Sequence, residues 1–207
     1  MKVAIVNYGM GNLGSVRRAL EDLGAQVFIA EHPAALFESR RVVLPGVGSF
    51  AEGMARLNDG GWVDTLRKLV LEERRPLLGI CLGMQMLATR GEEHGGSDGL
   101  GLIAGAVRRL DTLGCTLRIP HVGWNDVKLV ADTPLFSHIP AQSDFYFVHS
   151  FAMQAERPED VVATVNYGVD VVAAVRHRDV FGTQFHPEKS SKAGRQLLRN
   201  FLDYTPC

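Results

Sequence analysis

Hydrophobic positions along the chain fall into short unbroken runs separated by stretches of helical spacing. Apolar runs occupy residues 3–6, 27–30 and 42–44, the last ending at Pro45, and residues 77–80 form a fourth. Between them the apolar residues recur every three to four positions over 13–23, 51–57 and 62–73, and again from about Leu82. Continuous apolar runs linked by helices predict a mostly parallel sheet covered by helices on both faces. From about 103 to 175 the pattern changes to alternating and β-branched segments, such as 106–110 and 161–165, which predict antiparallel strands. A further strand at 180–185 and a closing helix at 191–202 complete the reading. No repeat, linker or low-complexity segment divides the chain, so residues 1–207 are expected to form a single α/β domain.

Composition narrows the function classes. Hydrophobic residues make up 46% of the 207, charged residues 22%, and the formal net charge is −1. Nothing in that balance favours nucleic acid or an anionic membrane. No apolar run suits a membrane span or a signal peptide, so a cytoplasmic location is expected. Cys81, Cys115 and Cys207 are odd in number and lack metal-ligand spacing, so neither a disulfide framework nor a metal site is expected.

Cys81 stands at a strand-to-helix corner, with Gly79 and Gly83 two residues to either side. That is the pattern of a nucleophile elbow with sulfur in place of the usual hydroxyl. A helix beginning at Leu82 would aim free N–H groups at the sulfur and at a developing oxyanion. A buried, inert cysteine is the alternative, and the paired glycines weigh against it. The best-placed base is His186, which follows an apolar strand and precedes Pro187-Glu188. Active sites of parallel sheets collect at the carboxyl ends of strands, which lets His186 meet Cys81. Glu188 is placed to orient the imidazole. His149 is a rival base without an adjacent carboxylate, and reads as structural or substrate-facing. The loop Pro45-Gly46-Val47-Gly48-Ser49-Phe50 also follows a strand, and is either a second oxyanion donor at Val47 or a plain turn.

Gly79-Ile80-Cys81-Leu82-Gly83-Met84-Gln85 together with Phe185-His186-Pro187-Glu188 resembles the class I, triad-type glutamine amidotransferases. Asn7-Tyr8-Gly9-Met10-Gly11-Asn12-Leu13, the 44–50 loop, Pro120-His121-Val122-Gly123-Trp124-Asn125 and Tyr146-Phe147-Val148-His149-Ser150 narrow the likeness. They resemble the glutaminase subunits of imidazole glycerol phosphate synthase. The resemblance implies a three-layer fold with an added antiparallel section. It implies Cys81 as nucleophile, His186 as base and then acid, and Glu188 as the orienting carboxylate. Val47 and Leu82 N–H groups would form the oxyanion hole, and the glycines around Val47 leave room for a peptide flip. Gly48, Gln85, Ser150 and Phe151 would bind L-glutamine. Ammonia would pass to a (β/α)8-barrel cyclase partner in a heterodimer, with Trp124, Asn12 and Lys189 at the seam and no cofactor. By composition alone Trp124, in a Gly-rich bend, reads as a core plug, and Lys189 as a solvated lysine.

One rival class competes with this resemblance. Gly9-Met10-Gly11-Asn12-Leu13-Gly14 is a GxGxxG that follows a strand and opens a helix, and Glu31 follows the second strand. That pattern fits a dinucleotide site. It is a single short motif, and a nucleotide domain would consume most of the chain. A catalytically dead binding module of the same fold is a third reading, disfavoured by intact Cys81, His186 and Glu188.

Overall fold

The computed structural model describes residues 1–206, the His94 side chain excepted; Cys207, expected to be structural or incidental, lies outside the described residues. The chain runs β1 (Lys2–Val6), α1 (Leu13–Glu21), β2 (Gln26–Ala30), β3 (Arg41–Gly46), α2 (Phe50–Asp59), α3 (Trp62–Leu71), β4 (Leu77–Cys81) and α4 (Leu82–Gln85). Short strands β5 (Arg90–Gly91) and β6 (Ser97–Asp98) follow, then β7 (Gly105–Arg109), β8 (His121–Leu129), β9 (Asp144–His149) and β10 (Phe151–Ala155). The last elements are β11 (Val161–Asn166), β12 (Asp170–His177), β13 (Val180–Thr183) and α5 (Ser191–Asp203).

Nine strands form the main sheet in the order β2-β1-β3-β4-β13-β12-β11-β8-β9, and a four-stranded sheet orders β10-β7-β5-β6. Strands β2 through β13 of that order pair in parallel, and β12 through β9 continue antiparallel. The apolar runs of the first half now have a physical cause. Val3 and Ile5 of β1 enter one core while Ala4 and Val6 enter the other, and β3 and β4 divide their side chains in the same way. Helices α1 and α5 close the first core through Val16, Leu20, Leu197 and Phe201, and α2 and α3 close the second through Met54, Leu57, Trp62 and Leu66. A strand buried on both faces has no polar side to show, so it reads as a continuous run.

Three local expectations are corrected. Pro45 does not end β3, because pairing with β4 continues at Pro45↔Ile80 and Gly46↔Cys81. β1 has left the other side of β3 by then, pairing only as far as Val43, so the missing proline N–H disrupts no ladder there. The helix after Cys81 is a single turn, because the Met86, Leu87 and Ala88 carbonyls accept from N–H groups of residues 100–103. Trp124 sits inside β8, which pairs with β9 through Trp124↔Tyr146, and not in a bend. Its side chain is 55% exposed, which rules out the core-plug reading.

Candidate active site

Three adjacent strands of the main sheet, β3, β4 and β13, deliver the site residues from their carboxyl ends. Cys81 closes β4 with φ 55° and ψ −110°, a backbone state that L-residues seldom adopt. Glycines make that corner possible by close approach. A Cβ on Gly83 would lie 1.8 Å from the Leu44 carbonyl oxygen, and one on Gly79 would lie 2.7 Å from the Gly83 oxygen. One on Gly46 would lie 2.5 Å from the Tyr8 hydroxyl. The elbow is therefore locked against β3 by main-chain contact, and Tyr8 adds a hydrogen bond from its hydroxyl to the Pro45 carbonyl at 3.0 Å.

His186 follows β13 and its Nδ1 lies 2.8 Å from Glu188 Oε1. Both side chains are buried, and the Glu188 side chain is only 1% exposed. His186 Nε2 is buried without a hydrogen bond of good geometry, and so is Glu188 Oε2. Burial works against the imidazolium, but contacts with the Cys81 sulfur as an anion and with the Glu188 carboxylate outweigh it and raise the His186 pKa to about 9. A thiol, an imidazole whose proton-bearing form is favoured and a carboxylate fixing that ring are competent to attack a carbonyl carbon and to return a proton to a leaving amine.

A cavity of about 370 Å³ opens above them, lined by Cys81, His186, Val47, Gly48, Leu82, Gln85, Ser150, Phe151, His149, Val148, Pro120 and Glu93. The expected oxyanion residues Val47 and Leu82 and the expected binding residues Gly48, Gln85, Ser150 and Phe151 all border this one space. A cavity of about 420 Å³ lies at the amino ends of β3 and β4 instead. Its Arg41 and Arg75 are spent on main-chain carbonyls and Arg74 pairs with Asp179 at 2.6 Å, and its lining has neither cysteine nor histidine.

Part of the Phe151 backbone is already engaged. Its carbonyl already accepts from Gln85 Nε2 at 2.9 Å and pairs with His149 Nδ1, also at 2.9 Å. The second contact fixes the proton order of a buried chain. With Nδ1–H of His149 donating to Phe151, His149 Nε2 must accept from His121 Nδ1 at 3.0 Å, and His121 Nε2 then faces the Asn125 amide at 3.4 Å. Burial pushes His121 and His149 down to about 4. His149 is therefore neutral and committed to Phe151, which removes it as a rival base.

Glu93, Gln184 and His121 were missed from sequence. Glu93 accepts from the Phe50 N–H at 2.7 Å and borders the cavity, yet its acidic neighbourhood reads as a solvated run. Gln184 lies two residues before His186, and a polar residue inside an apolar strand end is the sequence signal that marks it. Of the seam residues, Lys189 is exposed with its Nζ 5.8 Å from the centre of the Tyr146 ring, beside Trp124. Asn12 caps α1 through a bond from Ser15 N at 3.3 Å.

The GxGxxG loop has other work. Gly9 and Gly11 have φ of +86° and +144°, and Glu31 is held by the Asn7 amide at 2.7 Å. A Cβ on Gly14 would meet nothing within 4 Å, so this glycine lacks the close helix–strand packing that a dinucleotide fingerprint requires.

Known proteins share both the sequence and the fold. A family model described as glutamine amidotransferase class-I matches residues 4–204. The imidazole glycerol phosphate synthase subunit HisH 1 of Campylobacter jejuni (strain RM1221) is 44% identical over 200 residues, covering 97% of this chain and 98% of that protein. The HisH subunit of Moorella thermoacetica is 44% identical over 199 residues, covering 96% of this chain and 93% of its own. Among solved structures, PurLQS from Thermotoga maritima superposes with a TM-score of 0.78 at 20% identity, over 98% of both chains. At that identity the likeness speaks for the fold alone.

Proposed function

The chain belongs to the class-I glutamine amidotransferases, among the HisH subunits of imidazole glycerol phosphate synthase, and on that premise we propose how its residues hydrolyse glutamine. It is a glutaminase subunit of that synthase, in histidine biosynthesis. His186 Nε2 holds the proton given up by Cys81, and the sulfur anion attacks the side-chain amide carbon of L-glutamine. The oxyanion of the tetrahedral intermediate faces the N–H groups of Val47 and Leu82. His186 then hands the proton to the departing nitrogen, ammonia leaves, and a γ-glutamyl thioester remains. Water, deprotonated by His186, attacks the thioester carbon and releases glutamate with the thiol restored. Glu188 holds the ring in the tautomer that keeps Nε2 toward the sulfur. Glu93 is a carboxylate at the cavity wall, suited to the substrate's ammonium group, and Gln85 offers its remaining side-chain oxygen.

The observation that carries this reading is the Cys81 elbow, with strained φ, beside an imidazole buried against Glu188 within one cavity. The chemistry is acid–base and covalent, and asks for neither metal nor cofactor. The whole chain acts as one glutaminase domain.

Ammonia goes to the second synthase subunit, a (β/α)8-barrel cyclase that makes imidazole glycerol phosphate and aminoimidazole carboxamide ribotide. The docking face includes Trp124, Val122 and Val148, large apolar side chains exposed on β8 and β9, with Lys189 at its border. The capping of α1 accounts for Asn12 without a partner, so its place at the seam rests on the resemblance. Among the described residues no helix is long and apolar enough to cross a membrane, and the cytoplasm is the proposed compartment. Cys81→Ser is expected to abolish glutamine hydrolysis while the reconstituted complex keeps ammonia-dependent synthesis. Retained hydrolysis would refute the nucleophile assignment.

A further inference from the structure

A buried side-chain amide needs its oxygen and its nitrogen satisfied, which fixes how it is turned. Gln184 is completely buried just past the end of β13. Its backbone N–H goes to the Ala173 carbonyl at 2.8 Å. Its side-chain oxygen accepts from Gln85 Nε2 at 3.0 Å, and the same Gln85 nitrogen donates to the Phe151 carbonyl at 2.9 Å. Gln85 therefore presents donors on both contacts, and Gln184 must show it an oxygen. The Gln184 amino group is left facing Cys81, with Nε2 3.8 Å from Sγ.

A second polar group touches the sulfur. The Val148 carbonyl oxygen also lies 3.8 Å from Sγ. These two neighbours favour opposite forms of the nucleophile. A carbonyl accepts S–H and repels an anion, whereas an amide N–H donates to sulfur and binds the anion more strongly than the neutral thiol. Once the proton leaves for His186, the sulfur anion still faces the Val148 oxygen, and a donor from Gln184 offsets that repulsion alongside the His186 imidazolium.

We propose that Gln184 is a further catalytic residue, whose amide N–H donates to Cys81 Sγ and stabilises the sulfur anion, with Gln85 fixing the direction of that donor. The proposal rests on Cys81 being the nucleophile. It joins the strand before His186 to the turn after Cys81 by one directed chain of hydrogen bonds, so the residue that orients the donor also borders the substrate cavity.

The test follows the pH at which Cys81 of the full chain reaches half its maximal rate of alkylation by iodoacetamide, with each cysteine resolved by peptide mass spectrometry. Gln184→Met removes the donor at nearly constant volume, and the midpoint is expected to rise by about one pH unit, the size of one hydrogen bond to a charged group. Gln184→Glu keeps an oxygen toward Gln85 and the same shape but replaces the donor with an acceptor whose charge also repels the sulfur anion, so its midpoint is expected to rise further than that of Gln184→Met. A role in packing alone would leave Gln184→Met at the wild-type midpoint, and that result overturns the proposal; a role in holding Gln85 alone would give Gln85→Leu the full rise of Gln184→Met, and that overturns it too. Buried Cys115 reports folding, since an unfolded variant alkylates it as fast as the urea-unfolded chain does. If both variants unfold, Gln85→Leu decides. It leaves Gln184 in place but unoriented, so a smaller rise is expected, and no rise overturns the proposal. Failure of the premise looks different: Cys81→Ser would then keep its glutaminase activity whatever the alkylation midpoints are.

Discussion

Gly83→Ala is the most demanding single test of the elbow. The added methyl would sit 1.8 Å from the Leu44 oxygen, 2.8 Å from the Leu44 carbonyl carbon and 3.4 Å from the Pro45 carbonyl carbon. All three are main-chain atoms of β3, so no side chain can swing aside. Relief requires α4 and β3 to separate by roughly 1.5 Å, to restore ordinary contact. β3 has little freedom to yield, being paired to β4 from Val42↔Leu77 to Gly46↔Cys81 and to β1 at its start. Overpacking a core costs about 1–3 kcal/mol where side chains give way, and a rigid main-chain clash is expected at or above the upper end. If α4 moves instead, Cys81 moves with it, and a displacement of about 1 Å at the reacting atom costs on the order of 100-fold in rate. Urea unfolding gives the first quantity and glutaminase kcat/KM of the reconstituted complex the second. Gly14→Ala is the matched control. It lies in α1 with nothing within 4 Å of the new Cβ, and is expected to gain about 0.5–1 kcal/mol from helix propensity. Gly83→Ala with wild-type stability and wild-type turnover would refute the claim that main-chain contact locks the elbow.

Other expectations follow from the same geometry. Native His121 and His149 titrate near 4 and their unfolded forms near 6.5, so the unfolded chain binds more protons between these values. Their contribution to stability is lost as pH falls from 6.5 toward 4. His186 is opposite: raised to about 9, its contribution is full below 6.5 and lost as pH rises through 9. In thermal melts from pH 4 to 10, His121→Phe, which keeps the stack on Phe147 and Tyr167, is expected to flatten the acid limb; an unchanged limb would refute the assignment. Glu188→Gln is expected to lower glutaminase kcat less than His186→Ala, since loss of orientation costs less than loss of the base; equal, total loss in both refutes that ranking. Trp124→Ala is expected to leave the melting temperature within a few degrees and to weaken binding of the cyclase subunit, with calorimetric affinity unchanged as the refuting result.

Features that depend on a few consecutive residues can be read from the chain before it folds. Buried strands of the parallel half announced themselves as apolar runs because both of their faces meet a core. Cys81 between Gly79 and Gly83, and His186-Pro187-Glu188, were legible because a tight corner and an imidazole–carboxylate pair are made within five residues of chain. Where polar groups find their partners depends on the folded arrangement. Gln85 reaches Phe151 across 66 residues and Gln184 reaches Cys81 across 103, so neither contact leaves a local trace. The same holds for the one-turn α4, cut short by carbonyls that residues 100–103 claim, and for Pro45, tolerated because β1 had already turned away. Trp124 shows the division most clearly: a large indole carries the same apolar character wherever it stands, and only the placement of β8 and β9 turns it to the surface. Local conformation is fixed by nearby sterics, while burial and hydrogen-bond partnership are fixed by which distant segments the fold makes neighbours.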